Sequence, residues 1–531
     1  MDVSDRLAVW GWRLALGGVV LIGFVLRLHG IHDPLLDHPG WRQGDTAAIA
    51  RNFATLDFNP FHPQTDYNGP PPNYVELELQ IVPFLAAILY KLFGVHEIFG
   101  RVISIAFSLG TVGVLYSFGR YVFGSRLAGL SAAALFAIYP GSVYYGRTFT
   151  PDTTMVFFLT AALYAATRWV WESDGRSWQR FWPAALLTGG AVLAKPVAIV
   201  ALVPIAAMLV ARFGLLGVLR RPQSLAFVAI ALGPYAAYDA YLARIAEWHW
   251  ASGITRLHVL PSLARAFSTP AAFGAKLRAW WGTFGLLRTT MLGLGGTLLW
   301  VVAAVVPVGR RARPLLFGWL AAAALYAYAV VTVERVDYYL YLVLPLAALW
   351  SGGFVAALVG RLARSSMTRR AALAAGFVAF ALLAIDGRRA VAHYYHYDRN
   401  VYRAATALDT TLDPNALVVM GHYDPSVLYY INRKGWEEDP YLWTPFDEQS
   451  AIRKGARYFI AIENNRLRRN VELYAWLQRF PIKNAAAKWP VYETDPAKTL
   501  PGAEARWQEF RRRERAGELP KVHAPPVPSS S

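Results

Sequence analysis

The chain has 531 residues, 55% hydrophobic and 17% charged, with a mean hydropathy of +0.29. Soluble proteins carry about 25% charged residues, so this balance excludes an ordinary water-soluble enzyme and puts most of the chain in lipid. The formal charge of +18 is not pooled on a polar domain, as nucleic-acid binding would need. Basic residues instead punctuate apolar runs, the pattern of membrane orientation signals, and with no cysteine there are no disulfides, Cys-zinc sites or thiol nucleophiles.

The opening stretch carries early arginines and then an apolar run. "RLHGIHDP" follows where a signal peptide would show a small-residue cleavage site, which predicts an uncleaved first transmembrane helix. Runs long enough to span recur at roughly 10–27, 101–121, 127–146, 153–171, 224–243, 291–308, 315–333, 339–360 and 371–386. The segment 80–94 ("QIVPFLAAILYKLFG") is short and holds Pro83 and Lys91, whereas 181–211 is too long for one span and breaks at Lys195-Pro196.

Charge bias decides both cases. With 80–94 lying in the interface and 181–211 forming a hairpin of two spans, fourteen Lys and Arg fall in the short loops on one side and three on the other. The positive-inside rule makes the first side cytoplasmic. The expectation is an α-helical polytopic membrane domain over 1–386 with about eleven transmembrane helices, its N-terminus inside. The first loop (28–79), the interfacial helix (80–94), the loop at 244–290 and the C-terminal segment then face outward. "NALVVMGHYDPSVLYYI" and "GARYFIAIENN" predict strand–turn–helix and a second strand, hence a small external α/β domain over 387–505. The polar, proline-rich 506–531 predicts disorder.

Candidate chemistry lies on the outer side. In "HPGWRQGDTAAIARNF", Asp45 opens a short amphipathic helix with Ile49 and Phe53 on one face, as an N-cap or as a reactive acid. Asp66 sits among turn formers in "QTDYNGPPPNY". In "YVELELQIVPFLAAILYKLFGVHEIFGR", Glu76 and Glu78 alternate with apolar residues beside an interfacial helix, an odd place for unpartnered carboxylates. Asp152 in "TPDTT" is a reasonable helix cap, and Lys195 before Pro196 can snorkel to headgroups. Taken together, Asp45, Glu78 and Asp152 are expected at one water–lipid boundary, near Arg147 and Lys195. Carboxylates can deprotonate a hydroxyl or hold a divalent cation, and cations can hold a phosphate leaving group.

These motifs resemble those of polytopic GT-C glycosyltransferases, the protein O-mannosyltransferase and aminoarabinose-transferase group. The resemblance spans roughly residues 35–350. "GWRQGDTAAIARNF" is similar to the first-loop motif, with Asp45 as the catalytic base. "YYGRTFTPDTTMVFFLTAALY" resembles the second external loop, with Asp152 as its acid. Glu78 holds the acidic place of the family's Glu-x-Pro, although Gln80 replaces the proline; "LAKP" and "ERVDYYLYLVLPLAAL" resemble later segments near the lipid phosphate.

What this resemblance implies is inverting transfer of a sugar from an undecaprenyl-type polyprenyl phosphate to a lipid, glycan or protein acceptor outside the membrane. Asp45 and Asp152 are then catalytic. Arg42, Asp66, Glu78, Arg147, Lys195, Arg335, Asp337, Tyr338 and Tyr339 bind substrate, and Asp152 and Glu78 are ligands for a divalent Mg²⁺ or Mn²⁺. The competing readings are a lipid or sugar flippase, an O-antigen-ligase-like enzyme and a non-enzymatic scaffold. A flippase would place charges at mid-membrane between matched repeats, and this chain shows neither.

Overall fold

The computed structural model describes residues 3–173, 176–362, 366–483 and 488–518. Contacts divide the chain into two compact units. One comprises 1–32, 76–245 and 249–395; the other comprises 33–75, 246–248 and 396–531. The first loop, expected to belong with the transmembrane domain, thus packs from residue 33 onward with the C-terminal domain. The reason is visible at Gly44, where a Cβ would lie 2.4 Å from the Ser426 Cα, so only glycine lets helix Gly40–Thr55 reach helix Pro425–Ile431.

The membrane unit is a helical bundle. Seven helices among the described residues are long and apolar enough to span: Trp10–Arg27, Ile98–Phe123, Pro196–Leu219, Pro222–Ile245, Ala312–Glu334, Asp337–Leu362 and Arg370–Ala390. The other expected spans fall on helices that are shorter or more polar. Arg126–Ile138 and Gly293–Val305 have 13 residues each and Trp178–Ala194 has 17, while Asp152–Glu172 is charged at both ends. Length and hydropathy therefore support seven of the expected eleven directly. Ile81–Phe93 forms the expected short apolar helix; 13 residues reach about 20 Å, less than a hydrocarbon core. The expected external loop at 244–290 is largely helical, including Leu260–Ala266 and Pro270–Leu286.

Local sequence explains the joints. Gly124 turns the chain at a φ of 64° and Ser125 caps the next helix through the Ala128 N–H. Asp152–Glu172 packs along Trp178–Ala194, and beneath them the Trp169 ring stacks on Phe227 with centroids 5.6 Å apart. The fully buried Arg27 clamps the bundle, donating to the carbonyls of Gly23 (2.8 Å) and Ala137 (3.1 Å) and to the hydroxyls of Ser108 (3.0 Å) and Ser142 (2.8 Å). Buried polar groups persist in lipid only when satisfied in this way.

In the polar unit, strands Leu417–Met420, Lys434–Glu437 and Ala456–Ile460 run parallel, with Leu417–Met420 in the middle. Val491–Glu493 pairs antiparallel with Ala456–Ile460, and Ile482–Lys483 closes the edge. Both strands expected from sequence occur at their positions. Lys434–Glu437 ("KGWE") went unforeseen because its polar sequence lacks a strand pattern. The first loop docks on this edge strand: the Gly69 N–H donates to the Gly435 carbonyl (2.7 Å), and the Gly435 N–H to the Asp66 carbonyl (3.0 Å). Residues 503–515 are helical, which corrects the expectation of disorder from 506; residues 519–531 lie outside the described residues.

Candidate active site

The polar unit holds Arg42, Asp45 and Asp66. Helix Gly40–Thr55 begins after the extended Pro39, whose carbonyl accepts from Arg42 and Gln43 (both 3.1 Å). Asp45 therefore lies a full turn inside the helix and is not the N-cap considered from sequence. The helix is buried on nearly all sides, not amphipathic.

Asp45 is 4% exposed, and its Oδ1 has no hydrogen-bond partner among the described residues. The Tyr67 hydroxyl donates to the carboxylate, and Arg42 is the nearby cation. Burial, assisted by Asp424 and Asp66 and opposed by Arg42 and Tyr67, pushes the Asp45 carboxyl up to about 7. A carboxylate with one open oxygen and a pKa near neutrality is suited to accept a proton. Glu437, at the end of its strand, interacts with both Asp45 and Tyr67. Burial drives its carboxyl well above the usual range, and its Oε2 lacks a partner among the described residues. Nothing in the sequence reading singled out Glu437; the only available signal was the acidic run "WEED" after a short polar segment.

Asp66 behaves differently. It accepts from Asn52 (3.0 Å), Arg51 and Lys434. Burial alone would raise its carboxyl, but the two cations outweigh that and hold it down at about 2. These donors tie the first loop to the C-terminal domain through Asp66, because a buried charge persists only when paired.

The membrane unit holds the remaining candidates. Asp152 opens helix Asp152–Glu172 but caps nothing; Pro151 is the cap residue. Its Oδ1 instead accepts from the Lys195 ammonium at 2.6 Å. The rings of Tyr338 and Tyr339 flank that ammonium at 5.1 and 4.9 Å, within cation–π range. Lys195 therefore points at a carboxylate and two aromatic faces in place of the headgroup position considered from sequence. Glu78 is buried at a neighbouring joint, where the Leu79 N–H donates to the Leu193 carbonyl (2.9 Å) just before Lys195. Glu76 accepts from the backbone and hydroxyl of Ser252 (3.1 and 3.0 Å), a tie between loops.

Three candidates have other engagements or none. Arg147 is fully buried, donates to the Gly30 carbonyl (3.1 Å) and lies over Tyr144 and Tyr395 at 4.9 and 4.4 Å. These contacts hold it inside the membrane unit, and its Nε has no hydrogen-bond partner among the described residues. Asp337 accepts from the hydroxyls of Tyr145 (2.6 Å), Thr290 (3.1 Å) and Tyr394. Arg335 is exposed at a φ of 52°, and its guanidinium has no ion pair among the described residues.

Fitness for a metal can be tested on the donors. Among the described residues no group of three or more His, Cys, Asp or Glu side chains is arranged to hold an ion. The charge of Asp152 is already met by Lys195. Among the described residues, the side chains do not assemble a site that fits the expected Mg²⁺ or Mn²⁺.

Comparison with known proteins gives this geometry a context. Residues 80–237 match the sequence profile of the dolichyl-phosphate-mannose-protein mannosyltransferase family. The fold is similar to ArnT from Cupriavidus metallidurans bound to undecaprenyl phosphate (TM-score 0.59, 15% identity, 92% of this chain and 99% of that one). It is also similar to the oligosaccharyltransferase AglB from Archaeoglobus fulgidus, in complex with an inhibitory peptide and a dolichol-phosphate (TM-score 0.56, 14% identity, 92% of this chain and 75% of that one). No curated protein matches by sequence. The chain is a multi-pass membrane protein with the GT-C fold. Residues 80–237 match that mannosyltransferase-family model, and the fold is the one these glycosyltransferase structures share.

Proposed function

We propose that the chain transfers a sugar from an undecaprenyl-type polyprenyl phosphate to an acceptor hydroxyl on the extracytoplasmic face of the plasma (inner) membrane, with inversion. The N-terminus is then cytoplasmic and the polar unit external, as the charge bias supports. The observation that carries the reading is the buried Asp45 carboxylate with its open Oδ1 and a pKa of about 7. The acceptor oxygen attacks the anomeric carbon and gives its proton to Asp45. The bond from that carbon to the phosphate oxygen breaks, and the polyprenyl phosphate leaves with the electron pair.

Within the membrane unit, Lys195, fixed by Asp152, offers positive charge to a polyprenyl phosphate, and Tyr338 and Tyr339 offer an apolar floor to a sugar ring. Arg335, exposed and without an ion pair among the described residues, is a second cation for the same phosphate. Acceptors of this chemistry are lipid, glycan or protein hydroxyls; no nucleic acid is involved. Purified protein incubated with a panel of polyprenyl-phosphate sugars tests the reading. Released polyprenyl phosphate together with labelled acceptor supports it, whereas transbilayer movement of intact donor without bond cleavage sinks it.

A further inference from the structure

A second feature lies at the other end of the membrane unit. A groove of about 820 Å³ opens between helix Leu202–Leu219, the C-terminal end of Gly293–Val305 and the start of Ala312–Tyr326. Ala207 and Ala211 hollow one wall, Val305 and Phe317 form apolar sides, and Arg310 and Arg313 stand at the rim. Both arginines are exposed, and neither side chain has a hydrogen bond or ion pair among the described residues. The groove is separate from the Lys195 site. Arg313 precedes Tyr326, which lies against Tyr339, by enough helix to separate them by on the order of 20 Å.

A second observation fixes the depth of this rim. Gly214, at φ 68° and ψ 162°, breaks helix Leu202–Leu219 just after Ala211, a conformation that L side chains rarely adopt. The chain beyond it presents Leu215, Leu216 and Leu219 at 63–66% exposure, followed by Arg220 and Arg221. Exposed leucines beside arginines after a sharp break are the pattern of a segment lying at the boundary of acyl chains and headgroups. The unpaired arginines of the rim therefore stand where lipid phosphates are, above an apolar trough of small residues.

We propose that this groove binds an anionic glycerophospholipid, its phosphate between Arg310 and Arg313 and one acyl chain along Ala207, Val305 and Phe317. Basic pockets between membrane helices recognise anionic headgroups in this way, and an uncharged groove of the same shape would not discriminate among them. The site is distinct from the sugar-donor chemistry and takes a lipid that is not a substrate.

The test uses the full-length protein in detergent micelles, exchanged against equal phosphatidylglycerol and phosphatidylcholine, with retained lipid counted by native mass spectrometry. Phosphatidylglycerol is expected to be retained roughly tenfold over phosphatidylcholine. The Arg310→Gln/Arg313→Gln variant should lose that preference, and Arg310→Lys/Arg313→Lys should keep most of it. Val305→Trp, which fills the trough without changing charge, should also lower retention. A control pair at helix ends elsewhere, Arg126→Gln/Arg361→Gln, should leave it unchanged. Equal retention of the two lipids in the wild type overturns the proposal, as does a control that loses the preference as fully as the Arg310/Arg313 pair. Monodispersity and thermal unfolding of each variant separate loss of the site from loss of the fold.

Discussion

Asp45 in the polar unit and Asp152 in the membrane unit are both acids buried at helices, each with one carboxylate oxygen that has no hydrogen-bond partner among the described residues. What differs is the charge beside them: the Lys195 ammonium lies 2.6 Å from Asp152, whereas Asp45 has a phenol and an arginine that do not offset its burial. An acid held by a salt bridge keeps its charge and fixes its partner. An acid whose burial no cation offsets is costly to ionise and is poised to take a proton. On the proposed reading the same side chain is a positioning group in one unit and a base in the other, and the neighbours decide which.

The largest effect expected from this contrast is at Asp45. Asp45→Asn should lower transfer by about 100-fold or more, the scale of a lost general base. Its stability should move the other way. With the Asp45 pKa raised to about 7 in the folded chain and about 4 when unfolded, the folded state binds the extra proton between those values, and stability falls as pH rises across that window. At pH 8 Asp45→Asn should therefore unfold at a higher temperature than the wild type. An active or a destabilised variant would break the comparison.

The pH profile sharpens it. Wild-type kcat/KM should climb as pH rises through about 7, as the base loses its proton. Asp424→Asn removes an acid that helps to raise the Asp45 carboxyl and should shift that limb to lower pH, whereas Glu437→Gln, at a carboxyl already held well above the usual range, should leave it in place. A limb unmoved by Asp424→Asn would show that this acid has no influence on the base.

Lys195→Met is next, with a fall of about 10–100-fold expected from a lost phosphate contact. It also strands Asp152 as a buried charge, a loss of about 3–5 kcal/mol when a pair is broken on one side. The double variant Asp152→Asn/Lys195→Met should regain stability and not activity, as read by thermal unfolding and donor turnover. Recovery of both would reduce the pair to a fold element.

Asp66→Asn should cost a few kcal/mol by leaving Arg51 and Lys434 without their carboxylate. Because Asp66 is held at about 2, its contribution is present above pH 4 and is lost as pH falls toward 2. Faster proteolysis of the polar unit would report the loss, while an unchanged rate would remove its structural role. Smallest is Arg335→Gln, expected to raise the donor KM about two- to fivefold with kcat kept, as for an exposed cation in high dielectric.

Composition and apolar run length were sufficient to indicate a polytopic helical protein and a short apolar helix at 81–93, because these follow from local patterns of lipid solubility. The motif around Asp152 was legible for the same reason, being continuous in the chain. Partners were not. That Asp152 meets Lys195, that Asp66 is consumed by Arg51 and Lys434, that Arg147 is enclosed by Tyr144 and Tyr395, and that Glu437 neighbours Asp45 are contacts between residues 43 to 392 positions apart, apart from the local pairings of Asp66 with Arg51 and Arg147 with Tyr144. Whether a carboxylate is a base or a strut depends on what burial removes and which donors replace the lost water. The packed chain alone sets that, because desolvation and ion pairing act through space and not along the sequence.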